Sequence, residues 1–230
     1  MIVYGRNPVR EALRGRRAVH EVWATRRAAA LEWLHGVDVE RVEDEALMAR
    51  AGTPEHQGVV ARTDAYPYAD AAELLRPTDP LIVALDQVTD PHNLGAVCRT
   101  AEVAGATGVV IPDRRSAEVT PAVCKASAGA VEHLAVAKVR NLADFLADAK
   151  RAGCWCFGAD AAASTPYDRP DYRGGVVLVL GAEGRGLRPR VAGACDELVA
   201  LPVRGHLESL NVSAAAAALL YAILQRRERA

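Results

Sequence analysis

The pattern of hydrophobic and polar positions changes near residue 80 of the chain. Beyond it, apolar runs such as LIVAL (81–85) and VVLVL (176–180) lack polar alternation. Such runs are typical of strands buried on both faces of a parallel sheet. Helical stretches separate them, so the pattern predicts an open, mostly parallel α/β sheet with helices on both faces. The predicted strands are 81–85, 108–111, 134–139, 154–159, 176–180 and 198–203, and the predicted helices are 93–104, 121–128, 142–152 and 210–227.

The first 64 residues predict a separate, small α/β unit. Asn7-Pro8 is typical of a helix start, and Gly15 is placed to end that helix. Strands are predicted at 19–25, 37–42 and 57–62, and helices at 27–35 and 43–51. Prolines then punctuate a linker, which favours a domain boundary. The predicted organisation is therefore a small N-terminal domain (1–64), a linker (65–79) and a larger α/β domain (80–230).

Composition narrows the class of protein without identifying it. The chain has 230 residues, 25% of them charged, with a net charge of −1, which is ordinary for a globular protein. The N-terminus lacks the apolar run of a signal peptide, and no stretch reaches the length of a membrane span. The five cysteines are odd in number and form no CxxC pair. We therefore expect a cytoplasmic protein with reduced thiols, no metal and no membrane association.

Positive charge is concentrated at the N-terminus despite the balanced total. Seven arginines face only two glutamates within the first 27 residues. A local basic patch is what contact with RNA phosphates requires, although a solvated helix face explains the same pattern. The residues predicted to contact RNA are Arg6, Arg14, Arg16 and Arg17, together with Arg204 farther along the chain.

Candidate chemistry lies in the loops that follow three predicted strands. Ligands of open parallel sheets bind beyond the carboxyl ends of the strands. The first loop lacks the GxGxxG of a dinucleotide site, yet it carries Asn93 and, one turn and a half later, Arg99. Simple alternatives are a helix N-cap for Asn93 and a surface cation for Arg99.

The other two loops add glycines and short polar side chains. GAEGRGL places Glu183 between glycines, which allow the backbone to approach a ligand closely, and no phosphate-binding Gly-Lys-Ser/Thr follows. RGHLESLNVS carries Ser209, Asn211 and Ser213 at the start of the last helix. A tight turn and helix capping are the simpler explanations, with Ser213 as the expected cap if the other two serve a site.

Together these loops resemble the three signature motifs of the SpoU branch of the SPOUT methyltransferases, the TrmH-like RNA ribose 2′-O-methyltransferases. The matching text is NLGAVCRTAEVAGATGVVIP, LVLGAEGRGL and LPVRGHLESLNVSAAAAALLYAI. Order, spacing and flanking strands agree over roughly residues 81–228. The segments YGRNPVREAL and HQGVVA are similar, less specifically, to the RNA-binding domain of the subgroup that methylates a 23S rRNA guanosine.

The resemblance implies a SPOUT domain with a C-terminal trefoil knot, an exception to the rule against threaded chains. It also implies S-adenosylmethionine as cofactor, RNA as substrate, most readily 23S rRNA, and a homodimer with sites near its interface. The implied catalytic residues are Asn93, Arg99, Glu183, Ser209 and Asn211. The implied cofactor-binding residues are Leu180, Gly181, Gly186, Leu201 and Leu210.

Several alternatives stay open at this point. Within the family, the substrate could be tRNA ribose, or rRNA methylated to confer antibiotic resistance. Outside it stand a non-catalytic RNA-binding protein on a knotted scaffold and a small-molecule nucleotide-binding α/β enzyme. The role of Arg99 is also open, because a guanidinium rarely gives up its proton and so is a demanding general base. Holding a phosphate or stabilising a forming alkoxide asks less of it.

Overall fold

The computed structural model describes residues 1–228 and contains two β-sheets. The first sheet has four strands in the order β1-β4-β2-β3; β4 is antiparallel to β1 and β2, and β3 is parallel to β2. Two helices flank it, and apolar side chains such as Val3 and Val9 are fully buried beneath it. Its elements are β1 (Ile2–Tyr4), α1 (Arg6–Arg14), β2 (Val19–Ala24), β3 (Glu40–Arg41), α2 (Asp44–Ala51) and β4 (Val59–Thr63).

The predicted helix at 27–35 is wrong. Two 3₁₀ turns, Ala28–Ala30 and Glu32–Leu34, replace it, with the backbone of Leu31 extended between them. Burial of Ala28 and Leu34 against the sheet outweighs the helix propensity of an alanine-rich run. The strand predicted at 37–42 shrinks to β3, because only two of its residues pair with β2.

The second sheet confirms the predicted open parallel α/β architecture. Its seven strands run in the order β7-β6-β5-β10-β8-β11-β9, and every neighbouring pair is parallel. Its elements are β5 (Leu81–Asp86), α3 (Pro91–Val103), β6 (Gly108–Pro112), α4 (Pro121–Ala126), β7 (Ala135–Val139), α5 (Leu142–Arg151), β8 (Trp155–Ala159), β9 (Thr165–Pro166), β10 (Val176–Gly181), α6 (Pro189–Ala192), β11 (Glu197–Ala200) and α7 (Val212–Glu228).

Side chains of the central strands divide between two apolar layers, as the continuous hydrophobic runs predict. In β5, Val83 and Leu85 pack in the same cluster as Leu219 of α7, whereas Ile82 packs with Leu146 of α5. Because successive strand residues point to opposite faces, α7 and α5 must cover opposite sides of the sheet. The prediction of helices on both faces is confirmed.

The last predicted strand and helix both prove shorter at their shared boundary. Strand β11 ends at Ala200 instead of residue 203, and α7 begins at Val212 instead of residue 210. The apolar and polar residues of 201–211 therefore form a loop at the carboxyl edge of the sheet. This loop supplies several of the candidate site residues.

Four of the five thiols are buried, and Cys195 is partly buried. All five cysteines are free, and burial raises the pKa of Cys98 and of Cys156 to about 12. Within residues 1–228, no helix is both long and apolar enough to cross a membrane. In the same part of the chain, no three His, Cys, Asp or Glu side chains are grouped to hold a metal ion.

Candidate active site

A glycine-rich turn at the end of β10 forms the floor of the candidate site. The amides of Arg185 and Gly186 both donate to the carbonyl of Ala182, at 3.3 and 2.9 Å. Gly186 has φ +63°, a left-handed conformation that favours glycine. A Cβ at Gly181 would lie 2.1 Å from the carbonyl carbon of Gly186, so the two backbones approach too closely for any side chain.

An ion pair between the buried Asp86 carboxylate and Arg188 joins this turn to the neighbouring strand. Asp86, the last residue of β5, is fully buried and accepts from the Arg188 backbone amide at 2.9 Å and from Arg188 Nε at 2.8 Å. A buried carboxylate is stable only when charge and hydrogen bonds compensate it. Arg188 supplies both, which fixes the turn against the sheet. Sequence reasoning gave this pair no role, since a 102-residue separation leaves no local signal.

A cavity of about 370 Å³ opens beside the turn, lined by leucines and glycines together with charged side chains such as Asp160, Glu183 and Glu208. Its size falls in the range of small-molecule and cofactor sites. All five residues implied to bind cofactor line it: Leu180, Gly181, Gly186, Leu201 and Leu210. The loop after β8 (159–162) also lines it, which was missed, although its position at a strand's carboxyl end was the available signal.

Three of the predicted catalytic residues form one hydrogen-bonded cluster at the rim of this cavity. The Asn93 amide donates to Glu183 Oε1 at 3.1 Å. The Asn211 amide donates to Asn93 Oδ1 at 2.9 Å and also to Glu183 Oε1. The three come from α3, the glycine-rich turn and the start of α7, so the fold joins all three signature motifs at one point.

Helix capping at this cluster confirms the alternative of an Asn211 cap and contradicts the caps expected at Asn93 and Ser213. Asp90, not Asn93, caps α3 by accepting from the His92 amide at 2.9 Å, which frees Asn93 for Glu183. Asn211, not Ser213, caps α7: its Oδ1 accepts from the Ser213 amide at 2.8 Å. The Ser213 hydroxyl donates to the same oxygen. The expectation of a Ser213 cap is therefore wrong, because Asn211, two residues earlier, is the capping residue.

A second cleft of about 520 Å³ adjoins the cofactor-sized cavity. The two share Ala182, Glu183, Arg185 and Val212 in their walls. Arg115 lines the open cleft as well, and it was missed because a single arginine in a polar loop carries no distinctive pattern. A cofactor-sized cavity beside a cleft bearing amides, two carboxylates and two guanidinium groups can hold a cofactor against a polar, anionic substrate.

Arg99 and Ser209 lie outside the hydrogen-bonded cluster. Ser209 is exposed and lines the cofactor-sized cavity. Arg99 is exposed on α3, and within residues 1–228 it forms no ion pair or side-chain hydrogen bond. Six residues of helix place its side chain about 120° around the helix axis from Asn93.

The predicted RNA-contacting arginines divide by exposure. Arg6, Arg14, Arg16 and Arg204 are exposed. Arg17 is buried, with 6% of its surface accessible, and its guanidinium donates to Glu132 Oε2 at 2.9 Å. The prediction that Arg17 contacts RNA is wrong, because a carboxylate of the second sheet's domain already occupies this cation.

Comparison with known proteins accounts for both parts of the chain. Residues 80–221 match the family model of the SpoU rRNA methylase family. The chain belongs to the SpoU rRNA methylase family. Residues 2–69 match a second model, described as RNA 2′-O ribose methyltransferase substrate binding. The protein is thus an RNA 2′-O-ribose methyltransferase that uses S-adenosylmethionine, as the motif resemblance predicted.

Individual relatives extend over nearly the whole chain. The 23S rRNA (guanosine-2′-O-)-methyltransferase RlmB of Ralstonia nicotianae is 41% identical over 84% of this chain and 78% of its own length. YacO of Bacillus subtilis, a TrmH family protein, is 38% identical over 98% of this chain and 95% of its own. The structure of the SpoU methyltransferase AviRb from Streptomyces viridochromogenes, in complex with AdoMet, superposes with a TM-score of 0.82. It is 26% identical and covers 98% of this chain and 90% of that one.

Proposed function

We propose that this enzyme methylates the ribose 2′-hydroxyl of one guanosine in 23S rRNA. The observation that carries the proposal is the Asn93–Glu183–Asn211 cluster, whose Glu183 lines both the cofactor-sized cavity and the adjoining cleft. A relative named as a 23S rRNA guanosine methyltransferase supports the choice of nucleotide. The N-terminal match to a substrate-binding model supports an RNA substrate that is held by both domains.

The cofactor-sized cavity suits the cofactor because leucine side chains and glycine backbone line it. Leu180, Leu201 and Leu210 offer apolar surface to an adenine ring, and the close backbone approach at Gly181 leaves peptide groups free to bond its edge. Gly186 shapes the same wall. When bound, S-adenosylmethionine supplies an electrophilic methyl group on a positively charged sulfur.

The polar cluster orients the attacking ribose. A bond forms between the 2′-oxygen and the methyl carbon while the carbon–sulfur bond breaks, and the hydroxyl proton must leave. In this proposal Asn93, Glu183 and Asn211 hold the ribose in line by hydrogen bonds, and Ser209 binds the nucleotide from the cavity rim. The proton passes to water or to a neutral base, while Arg99 keeps its charge and stabilises the oxygen or the adjoining phosphate.

The exposed position of Arg99 supports a homodimer with shared sites. Val103 lies one helical turn from Arg99 on α3 and is 64% exposed. Tyr221, on the packed neighbour α7, is 46% exposed. Large apolar side chains beside an unpaired cation are what an interface between two copies would cover. We propose that Arg99 completes its site across that interface.

Two further assignments belong to the same proposal. The return of α7 onto α3 and β10, after β11 at the far side of the sheet, supports the threading of the C-terminal segment into a trefoil knot. A cytoplasmic location follows from the proposed substrate, because 23S rRNA is assembled into ribosomes there.

Ribose methylation mapping tests the proposed substrate. We expect a strain lacking this chain to lose methylation at a single 23S rRNA guanosine, and the purified enzyme to restore it. We expect Arg99→Ala and Asn93→Ala each to lower methyl transfer at least about a hundredfold, by removing charge and positioning in the transition state. Cofactor affinity, measured by calorimetry, serves as control and should be unchanged. Full activity of either variant, or unchanged methylation in the strain, would contradict the proposal.

A further inference from the structure

A separate pocket of about 280 Å³ lies in the N-terminal sheet's domain, built from residues that the catalytic proposal does not use. It opens between the end of β2, the start of α2 and the 3₁₀ turn Pro54–His56. Its polar lining consists of Arg6, Thr25, Arg27, Asp44, His56 and Gln57. Two guanidinium groups, one carboxylate and a histidine in one small pocket are suited to a ligand that carries negative charge and also hydrogen-bonding edges.

His56 is the central observation. Its ring is 98% buried, and its Nδ1 accepts from the Gly58 amide at 3.1 Å. A neutral ring whose Nδ1 accepts carries its proton on Nε2. That Nε2 has no hydrogen-bond partner among residues 1–228, and the nearest carboxylate oxygen, on Asp44, is 3.8 Å away. A buried donor left unsatisfied costs about 1–3 kcal/mol, so its retention indicates a ligand that accepts from it.

The backbone holds this ring in place at a conformational cost. Gln57 has φ +54°, in the left-handed region that non-glycine residues rarely adopt, and Gly58 follows with φ +81°. A Cβ at Gly58 would lie 2.9 Å from Thr25 Oγ1, so a glycine is required where the loop passes β2. The donor is thereby preorganised and not free to turn toward solvent.

The cations at the rim are available to a ligand. Arg6 and Arg27 are both exposed, and neither forms an ion pair within the described residues. Arg6 is positioned by the loop, since its Nε donates to the Gln57 carbonyl at 3.4 Å. Guanidinium groups bind phosphate oxygens strongly and in defined geometry. The rim therefore suits a phosphate, and the buried His56 donor beside the exposed Asp44 acceptor suits the edge of a base.

We propose that this pocket binds one unpaired nucleotide of the RNA substrate, separate from the nucleotide that is methylated. The phosphate contacts Arg6 and Arg27, while the base accepts from His56 Nε2 and donates to Asp44. Base edges in a duplex are already paired, so only a looped-out or single-stranded nucleotide can enter. The inference rests on RNA being the substrate, and it assigns a recognition role to this part of the N-terminal domain.

Two variants with matched controls test the pocket in the full-length chain. Arg27→Ala removes a rim cation, and its control, Arg26→Ala, removes an equally exposed neighbour that does not line the pocket. His56→Asn keeps an acceptor for the Gly58 amide, as in an Asx turn, and removes the Nε2 donor. The probes are a short unstructured RNA and a duplex containing the same strand, with binding followed by fluorescence anisotropy.

We expect Arg27→Ala and His56→Asn each to weaken binding of the single strand by about five- to tenfold, with the duplex unaffected. Arg26→Ala should bind both probes as wild type does. Equal loss for single strand and duplex, or equal loss in Arg26→Ala, would show a nonspecific basic surface and overturn the pocket. A wild-type enzyme that binds the single strand through this pocket but methylates no 23S rRNA would instead refute the proposed function alone. Thermal melting confirms that each variant is folded.

Discussion

At the scale of single residues, Asn211 shows how one side chain serves both fold and site. Its Oδ1 caps α7 through the Ser213 amide, while its Nδ2 donates to Glu183 and Asn93. Capping requires only an acceptor, and the site requires only a donor. An amide offers an acceptor and two donor hydrogens at once, whereas a carboxylate offers no donor and a serine hydroxyl offers one hydrogen on a shorter side chain.

Asn211→Ser separates the two roles. Serine caps a helix about as well as asparagine, so we expect the free energy of unfolding to change by less than about 0.5 kcal/mol. Its shorter side chain carries no amide to reach Glu183. Loss of a hydrogen bond to a charged group should lower methyl transfer by roughly ten- to a hundredfold, provided the cluster orients the ribose.

Asn141→Ser is the matched control for that variant. Asn141 caps α5 through the Ala143 amide at 3.0 Å, on the opposite face of the sheet from α7. Urea denaturation and a methyl-transfer assay should report similar stability for both variants but full activity for the control. Equal activity in the two would show that Asn211 is a cap and nothing more.

At the scale of elements, the glycine-rich turn works by the absence of side chains. Gly181→Ala would force a Cβ to within 2.1 Å of the Gly186 backbone, so the turn must move away from the cavity wall. We expect cofactor affinity to fall at least about tenfold, or 1.4 kcal/mol. Isothermal titration calorimetry with S-adenosylmethionine measures this directly.

Gly205→Ala provides the comparison in a nearby loop. A Cβ at Gly205 meets nothing within 4 Å, so the same chemical change should leave cofactor affinity as it is. If both variants bind S-adenosylmethionine like wild type, the close backbone approach at the turn is not needed for the cofactor site.

Elements whose signals are local were predicted well, and elements that depend on distant partners were not. Helix α5 begins at Leu142 as predicted, because its capping hydrogen bond, from the Ala143 amide to Asn141, is made within two residues. The strand β9 was missed, since Thr165-Pro166 resembles a loop until β11 lies beside it. The alanine-rich segment 27–35 failed as a helix because the sheet, not its own propensity, decides its conformation.

At the scale of the whole molecule, a buried ion pair joins the two sheets' domains. Arg17 donates to Glu132 and to the Asp64 carbonyl, and Tyr66 nearby donates to the carbonyls of Val131 and Leu134. Burial alone would lower the pKa of Arg17, but the hydrogen bonds and charge of Glu132 outweigh it and raise that pKa above its usual range. Arg17 thus keeps its charge, and its contacts with Glu132 and Asp64 set how the N-terminal domain meets the catalytic one.

Breaking and then replacing this pair gives a prediction with its own control. Arg17→Met leaves Glu132 as an uncompensated buried charge and should cost about 3–5 kcal/mol of stability. The double variant Arg17→Met/Glu132→Met removes both charges, and we expect it to recover most of that loss. Chemical denaturation of the two variants measures the difference. A double variant no more stable than the single one would contradict this account.

The sequence by itself determined the central strands of the second sheet, its open parallel arrangement and the three strand-end loops that contain the site. Hydrophobic runs and glycine spacing act over a few residues, so they can be interpreted without knowing what lies opposite. Only the tertiary structure decided that Arg17 is a buried structural cation and that Asn93 meets Glu183 and Asn211. It alone left the Nε2 of His56 facing a pocket. Each of these outcomes depends on groups far apart in the chain, whose charges and hydrogen bonds are satisfied only once the fold brings them together.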